Sequence, residues 1–154
     1  MRALPQAPEA RAVFVGGGPE EEKLRRLATE LGVAERVRFA GRVDDEALLS
    51  LYAEARIVAV TAAGEDLGYV PLEAFLSGKA VLTTEDAGGP LEFVKDGETG
   101  IVTAPRPDAL GVALRLAWSR PDALRAMGEA GRARAALLDW DGPVRALLAA
   151  AGLS

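Results

Sequence analysis

Residues Ile57–Thr83, IVAVTAAGEDLGYVPLEAFLSGKAVLT, read as one strand, loop, helix and strand in succession. Ile57 to Thr61 is nearly all apolar, which predicts a strand buried on both faces and central in a parallel sheet. Ala62 to Gly68 forms a loop, followed by a short helix carrying Pro71, Glu73, Ala74 and Phe75. Gly78 closes that helix, because glycine enters the left-handed conformation that ends helices without a Cβ penalty. Ala80 to Thr83 then returns as a strand, and alternation of strand and helix is the signature of a parallel sheet.

The same alternation extends in both directions. Upstream, Ala12 to Gly16 (AVFVG) reads as a buried strand ending in the turn Gly16–Pro19. Pro19 suits a first helical position, and Glu20, Glu21 and Glu22 suit the positive end of a helix dipole. Leu24, Leu27, Ala28 and Leu31 form one apolar stripe that Gly32 stops. Arg36 to Ala40 gives another strand, and Asp44 and Asp45 open a helix with Leu48, Leu51, Tyr52 and Ala55 facing inward. Downstream, Gly88 to Glu92 holds a turn and a short helix, Asp96-Gly97 a turn, and Gly100 to Thr103 a last strand. Beyond Pro107 the chain reads as helical, over Asp108 to Trp118, Pro121 to Leu137 and about Pro143 to Ala150. Leu110, Leu114, Ala117 and Trp118, then Leu124, Met127, Ala130 and Gly131, recur at packing intervals. The prediction is an α/β fold, a single Rossmann-like domain over 1–154 with about five parallel strands and helices on both faces.

Composition limits what such a domain can do. At 154 residues with 49% hydrophobic and 27% charged residues, the chain suits one globular domain. It contains neither cysteine nor histidine, so thiol chemistry, disulfides, cysteine metal sites and the commonest general base are excluded. A net charge of −5 opposes a nucleic-acid groove, which needs clustered cations. No apolar run is long enough to span a bilayer and the N-terminus has no signal-peptide core, so cytoplasmic residence is the default expectation.

Open parallel sheets bind ligands at the carboxyl ends of their strands. The loops Gly16–Pro19, Ala40–Val43, Ala62–Val70 and Glu85–Pro90 all lie there. Glu65 sits in one of them, and Glu73 follows eight positions later in the helix; with Pro71 at the first helical position, Glu73 is third. The amides of that helix start would face a phosphate, Gly68 would permit close approach, and Glu73 would accept hydrogen bonds from sugar hydroxyls. Spacing alone leaves equal room for Glu73 as a simple complement to the helix dipole and Glu65 as a solvated carboxylate.

The Glu65/Glu73 pair lies inside GEDLGYVPLEAFLSGKAVLTTEDAGGPLEFVKDGETGIV, an E-x7-E motif with a downstream GG-P-x-E. Preceded by VFVGGGPEEEKLRRLATELGV and VRFAGRVDDEALLSLYAEARIVAV, it resembles retaining glycosyltransferase family 4 of the GT-B superfamily, in its C-terminal donor-binding domain. The resemblance runs from about Arg11 to Asp141. It implies that Glu73 bonds the ribose of a nucleoside diphosphate sugar and that Glu65 orients the transferred sugar near the reacting carbon. It implies that amides of Asp66, Leu67, Gly68, Tyr69 and Val70 approach sugar and diphosphate, that Gly41, Arg42 and Val43 flank the base, and that Gly16, Gly17 and Gly18 line the cleft. Arg42 as a solvated rim residue and Tyr69 as an ordinary loop aromatic are the plain alternatives. The sequence Trp140-Asp141-Gly142 resembles the family's tail, with a core-capping aromatic as the alternative.

Family members begin this domain with an additional strand, followed by an arginine and a lysine that contact the diphosphate. No segment of this chain matches them, and neither Lys79 nor Arg56 fits the motif. The resemblance therefore implies the donor half of a retaining hexosyltransferase, with no metal or other cofactor. Its partners would be the donor and a missing N-terminal acceptor domain, and it would be inactive alone. In the full-length enzyme it would be cytoplasmic or peripheral to the inner membrane. A sheet without its first strand exposes an edge that could pair two copies in a homodimer. The alternative function is a non-catalytic nucleotide-sugar-binding or oligomerisation module. A dinucleotide-binding reading of VFVGGGP fails because Glu21 stands where the third glycine of Gly16-x-Gly18-x-x-Gly is needed. A response-regulator reading fails for want of an acidic pocket, since the first and third strands end in glycines and Thr61.

Overall fold

The structure is a computed structural model that describes residues 1–139 and 141–151. The readings of Trp140 fall outside that set. Five strands alternate with helices: β1 (Ala12–Val15), α1 (Glu21–Glu30), β2 (Val37–Gly41), α2 (Asp45–Glu54), β3 (Val58–Val60), α3 (Val70–Leu76), β4 (Val81–Thr84), α4 (Pro90–Phe93) and β5 (Gly100–Thr103). Among the described residues three helices follow: α5 (Pro107–Ser119), α6 (Pro121–Ala135) and α7 (Asp141–Ala150). Every strand pair is parallel.

Local chemistry accounts for most of the boundaries. Asp44 caps α2, its Oδ1 accepting from the Ala47 amide at 2.9 Å. Gly78, at φ +68°, ends α3 with its amide on the Phe75 carbonyl and that of Lys79 on the Ala74 carbonyl. Two helix starts differ from expectation. Helix α1 begins at Glu21, with Pro19 in the preceding turn. Helix α3 begins at Val70, so Pro71 is second and Glu73 fourth.

The sheet departs more from its expected form. The strands pair in two groups, β1-β2 and β3-β4-β5, with no hydrogen-bonded pair joining β1 to β3. β3 is therefore an edge strand, and β4 is the central one, with all four residues buried. Nor is β3 buried on both faces: Val58 and Val60 are half-buried and Ala59 between them is exposed, so the apolar run reported neither paired edges nor full cover. The threonines that obscure β4's position satisfy themselves partly within the sheet, the Thr83 hydroxyl donating to the Val60 carbonyl at 2.8 Å.

One face of β1 is also left uncovered, contrary to its reading as a buried strand. Val13 and Val15 of β1 are 44% and 46% exposed. The chain exposes 9565 Å², against about 7,400 Å² for a compact monomer of 16.1 kDa. The interior is correspondingly divided into three clusters. One, around Leu4, Ala7, Ala28 and Val33, is tied down by Arg36, which donates to the carbonyls of Leu4, Ala7 and Ala10 at 2.8–3.0 Å. Another, around Tyr52, Ala74, Phe75, Val81 and Val94, lies beneath α3. Helix α6 braces α3 from behind: Gly131 lies against the Phe75 ring and Gly128 against the Gly78 carbonyl. No helix among the described residues is long and apolar enough to cross a membrane.

Candidate functional site

The carboxyl ends of β1 and β2 are joined by their loops. The Gly16 amide donates to the Gly41 carbonyl at 2.7 Å, and both glycines have positive φ, +99° and +65°. Such backbone is costly for any residue with a Cβ. Gly16, Gly17, Gly18 and Arg42 are exposed, while Gly41 and Val43 are half-buried. This pair of loops forms one low wall with glycine amides at its surface.

The loops after β3 and β4 make a second, more rigid unit. Glu65 forms a parallel bridge with Gly88. The Gly64 and Glu65 amides donate to the carbonyls of Asp86 and Ala87 at 2.9 Å, and the Gly89 amide returns to the Glu65 carbonyl at 2.7 Å. A Cβ at Gly89 would fall on the Asp66 backbone, so the Gly88-Gly89 pair is what allows this close docking. Gly68, at φ +68°, carries no Cβ where one would meet the Glu65 side chain at 3.1 Å. The Glu65 stem can therefore lie across the turn, its carboxylate exposed.

From that anchored turn the chain enters α3 through Asp66, Leu67, Tyr69 and Val70, all exposed. The Glu73 amide donates to the Tyr69 carbonyl at 3.0 Å. The amides before it point beyond the helix end. Glu73 is exposed, yet its Oε2 accepts from the Tyr52 hydroxyl at 2.7 Å. Tyr52 itself is only 8% exposed and packs among Ala74, Phe75 and Val81. Burial first, then the hydrogen bond to Glu73 and its charge, raise the phenol's pKa far above the ordinary tyrosine value.

The residues expected to serve the site thus fall into three local units: Gly16–Gly18 with Gly41–Val43, Glu65 with Gly68 and Gly88–Gly89, and Glu73 with Tyr52. Two basic residues left out of the expected site are engaged elsewhere. Lys79 donates to the Ala53 carbonyl at 2.8 Å, and the Arg56 guanidinium lies 4.2 Å over the Trp118 ring. Concavities of about 320 Å³ beside Trp118 and about 300 Å³ beside Lys79 lie away from the strand ends, so the candidate site is an open shelf rather than one of these hollows. Sequence reasoning missed Tyr52, which it placed in an apolar stripe. The available signal was general: a buried tyrosine needs a partner for its hydroxyl. It also read Gly88-Gly89 as a turn, without its role in seating the Glu65 loop.

Comparison with known proteins agrees with the architecture. The family described as "Glycosyl transferases group 1" matches residues 1–134. The chain is 39% identical over 150 residues to the D-inositol 3-phosphate glycosyltransferase of Nocardia farcinica, covering 90% of this chain and 32% of that protein. It is 39% identical over 144 residues to the GDP-mannose-dependent alpha-(1-6)-phosphatidylinositol monomannoside mannosyltransferase of Mycolicibacterium smegmatis, covering 86% and 37% respectively. Anabaena HepE in complex with UDP-glucose superposes with a TM-score of 0.79 at 31% identity, over 87% of this chain and 38% of that one. The chain thus spans about a third of the length of the curated relatives it matches. With the family matched over most of its length and parallel strands flanked by helices as in these structures, this chain is a GT-B domain belonging to the glycosyl transferases group 1 family.

Proposed function

We propose that this chain is the donor-binding half of a retaining glycosyltransferase, taking a nucleoside diphosphate sugar on the shelf formed by the strand ends. The observation that carries the reading is the Glu65–Glu73 loop, seated on Gly88-Gly89 and open to solvent on the edge where parallel sheets take ligands. Support comes from HepE, a structural relative with UDP-glucose bound. A second relative is described as GDP-mannose-dependent, so the family relationship leaves the base and the sugar open.

In this reading Glu73 receives the ribose hydroxyls and Glu65 orients the transferred sugar and balances charge at its anomeric carbon. Amides of Asp66 to Val70 approach the diphosphate, which leaves, and takes up the acceptor hydroxyl's proton, as that hydroxyl attacks from the same face. Gly41 to Val43 flank the base, and Gly16 to Gly18 line the cleft. Fixed amide dipoles stabilise the departing diphosphate without reorganising at the moment of transfer. No metal or other cofactor is invoked. The acceptor site belongs to an N-terminal domain and the diphosphate-contacting cations to an additional strand of this domain, so the isolated chain binds donor without turning it over. Cytoplasmic residence, with peripheral membrane attachment of the full-length enzyme, fits a chain whose described helices include none able to span a bilayer.

A second reading is favoured by the split sheet. The free edges of β1 and β3 and the exposed Val13 and Val15 suit an added strand, either from a further segment of the same enzyme or from a second copy. A pure assembly module would use that edge and ignore nucleotides. Titration calorimetry with UDP, GDP and their sugar conjugates separates the two. Saturable binding abolished in Glu73→Ala supports the donor half, whereas no heat at millimolar ligand rejects it.

A further inference from the structure

We propose that Tyr52 is a positioning residue that holds the Glu73 carboxylate in the orientation that receives ribose. The inference rests on the donor-site reading above. Tyr52 and Glu73 lie 21 positions apart on different helices, and their hydrogen bond is 2.7 Å. The two ends of this contact differ in freedom. The tyrosine ring is locked in the cluster of Ala74, Phe75, Val81 and Val94, while Glu73 is an exposed side chain with three rotatable bonds. The hydroxyl therefore fixes the carboxylate, not the reverse.

Binding through a free glutamate requires that its rotamers be ordered when ligand arrives. With Oε2 held by Tyr52, that ordering is already done, and Oε1 remains to accept from ligand hydroxyls. A carboxylate offers about four lone-pair sites, so one accepted bond does not exhaust it. The phenol stays a donor across the physiological range, because burial and the neighbouring carboxylate both oppose its ionisation. The contact also ties α2, which follows the base-flanking loop, to α3.

The test compares UDP with 2′,3′-dideoxyuridine 5′-diphosphate by calorimetry on the 154-residue chain, in wild type, Tyr52→Phe and Glu73→Ala. Tyr52→Phe keeps the ring and removes only the hydroxyl, and Tyr52→Met offers a second hydroxyl-free filler should the first fail to fold. The expected result is preference for UDP in wild type, UDP affinity about tenfold weaker in the hydroxyl-free variant, and dideoxy affinity unchanged. In the Glu73→Ala background the same substitution should then have no further effect. A purely structural tyrosine would weaken both ligands equally or neither, and either result overturns the proposal. The same pair of ligands is run with guanosine in place of uridine, and should wild type bind none of the four nucleotides, the donor-site reading falls and takes the proposal with it. Should wild type bind both nucleotides equally, only the ribose role and its positioning are lost.

Discussion

The Gly89 amide donates to the Glu65 carbonyl across 2.7 Å, joining the loop after β3 to the loop after β4. Two loops that would otherwise move separately are thereby one body. The position of Glu65 depends on a residue 24 places away that has no side chain to contribute.

Gly89→Ala tests that dependence. A Cβ there would fall on the Asp66 backbone, which cannot yield as a flexible side chain would. The loop must shift, with a stability loss of about 1–3 kcal/mol, typical of overpacking. Denaturant unfolding should show the lower midpoint, and UDP-sugar affinity should fall with it.

Gly131→Ala acts on the same site from behind. Its Cβ would meet the Phe75 ring, which anchors α3 in the core two residues after Glu73. The expected cost is again about 1–3 kcal/mol, seen in thermal unfolding. Gly97→Ala is a useful contrast: its Cβ meets open space, and only its φ of +72° opposes the change.

Tyr52 links the site to pH. Its folded-state pKa is raised above the unfolded value, first by burial and then by Glu73. It therefore contributes stability that is complete below the unfolded tyrosine pKa of about 10 and is lost as pH rises beyond it. Unfolding free energy measured from pH 8 to 11 should decline at the upper end, and Tyr52→Phe should flatten that decline. The chain has two tyrosines, so ultraviolet titration of the variant assigns the late-ionising phenol directly.

Thr84, at the end of β4, is buried with no hydrogen-bond partner for its Oγ1 among the described residues. Replacing an unsatisfied buried hydroxyl by a group of the same shape removes a desolvation cost of about 1–3 kcal/mol. Thr84→Val should leave stability unchanged or raise the denaturation midpoint.

Much of this architecture was legible in the sequence because it rests on local rules. Asp44 capping α2 and Gly78 closing α3 are decided within a few residues of each position. The apolar run at Val58–Val60 announced a strand, but Ala59 is exposed and composition carries no information about edges, so it could not show that β3 ends one group of strands. The loops that carry Glu65 and Glu73 were found by their place after strands. What escaped were relationships across long separations: Gly89 beneath Glu65, and the Tyr52 hydroxyl on Glu73. Each depends on which elements the fold brings together, and no local pattern encodes that.

The central claim concerns where a nucleotide sugar sits. Titrating UDP-glucose into isotopically labelled protein and following backbone amide shifts by NMR tests it most directly. The account predicts saturable shifts at Gly16–Gly18, Gly41–Val43 and Glu65–Glu73, excepting Pro71, that vanish from the last segment in Glu73→Ala. Shifts confined to the groove beside Trp118, or none at millimolar UDP-glucose and GDP-mannose alike, would contradict it.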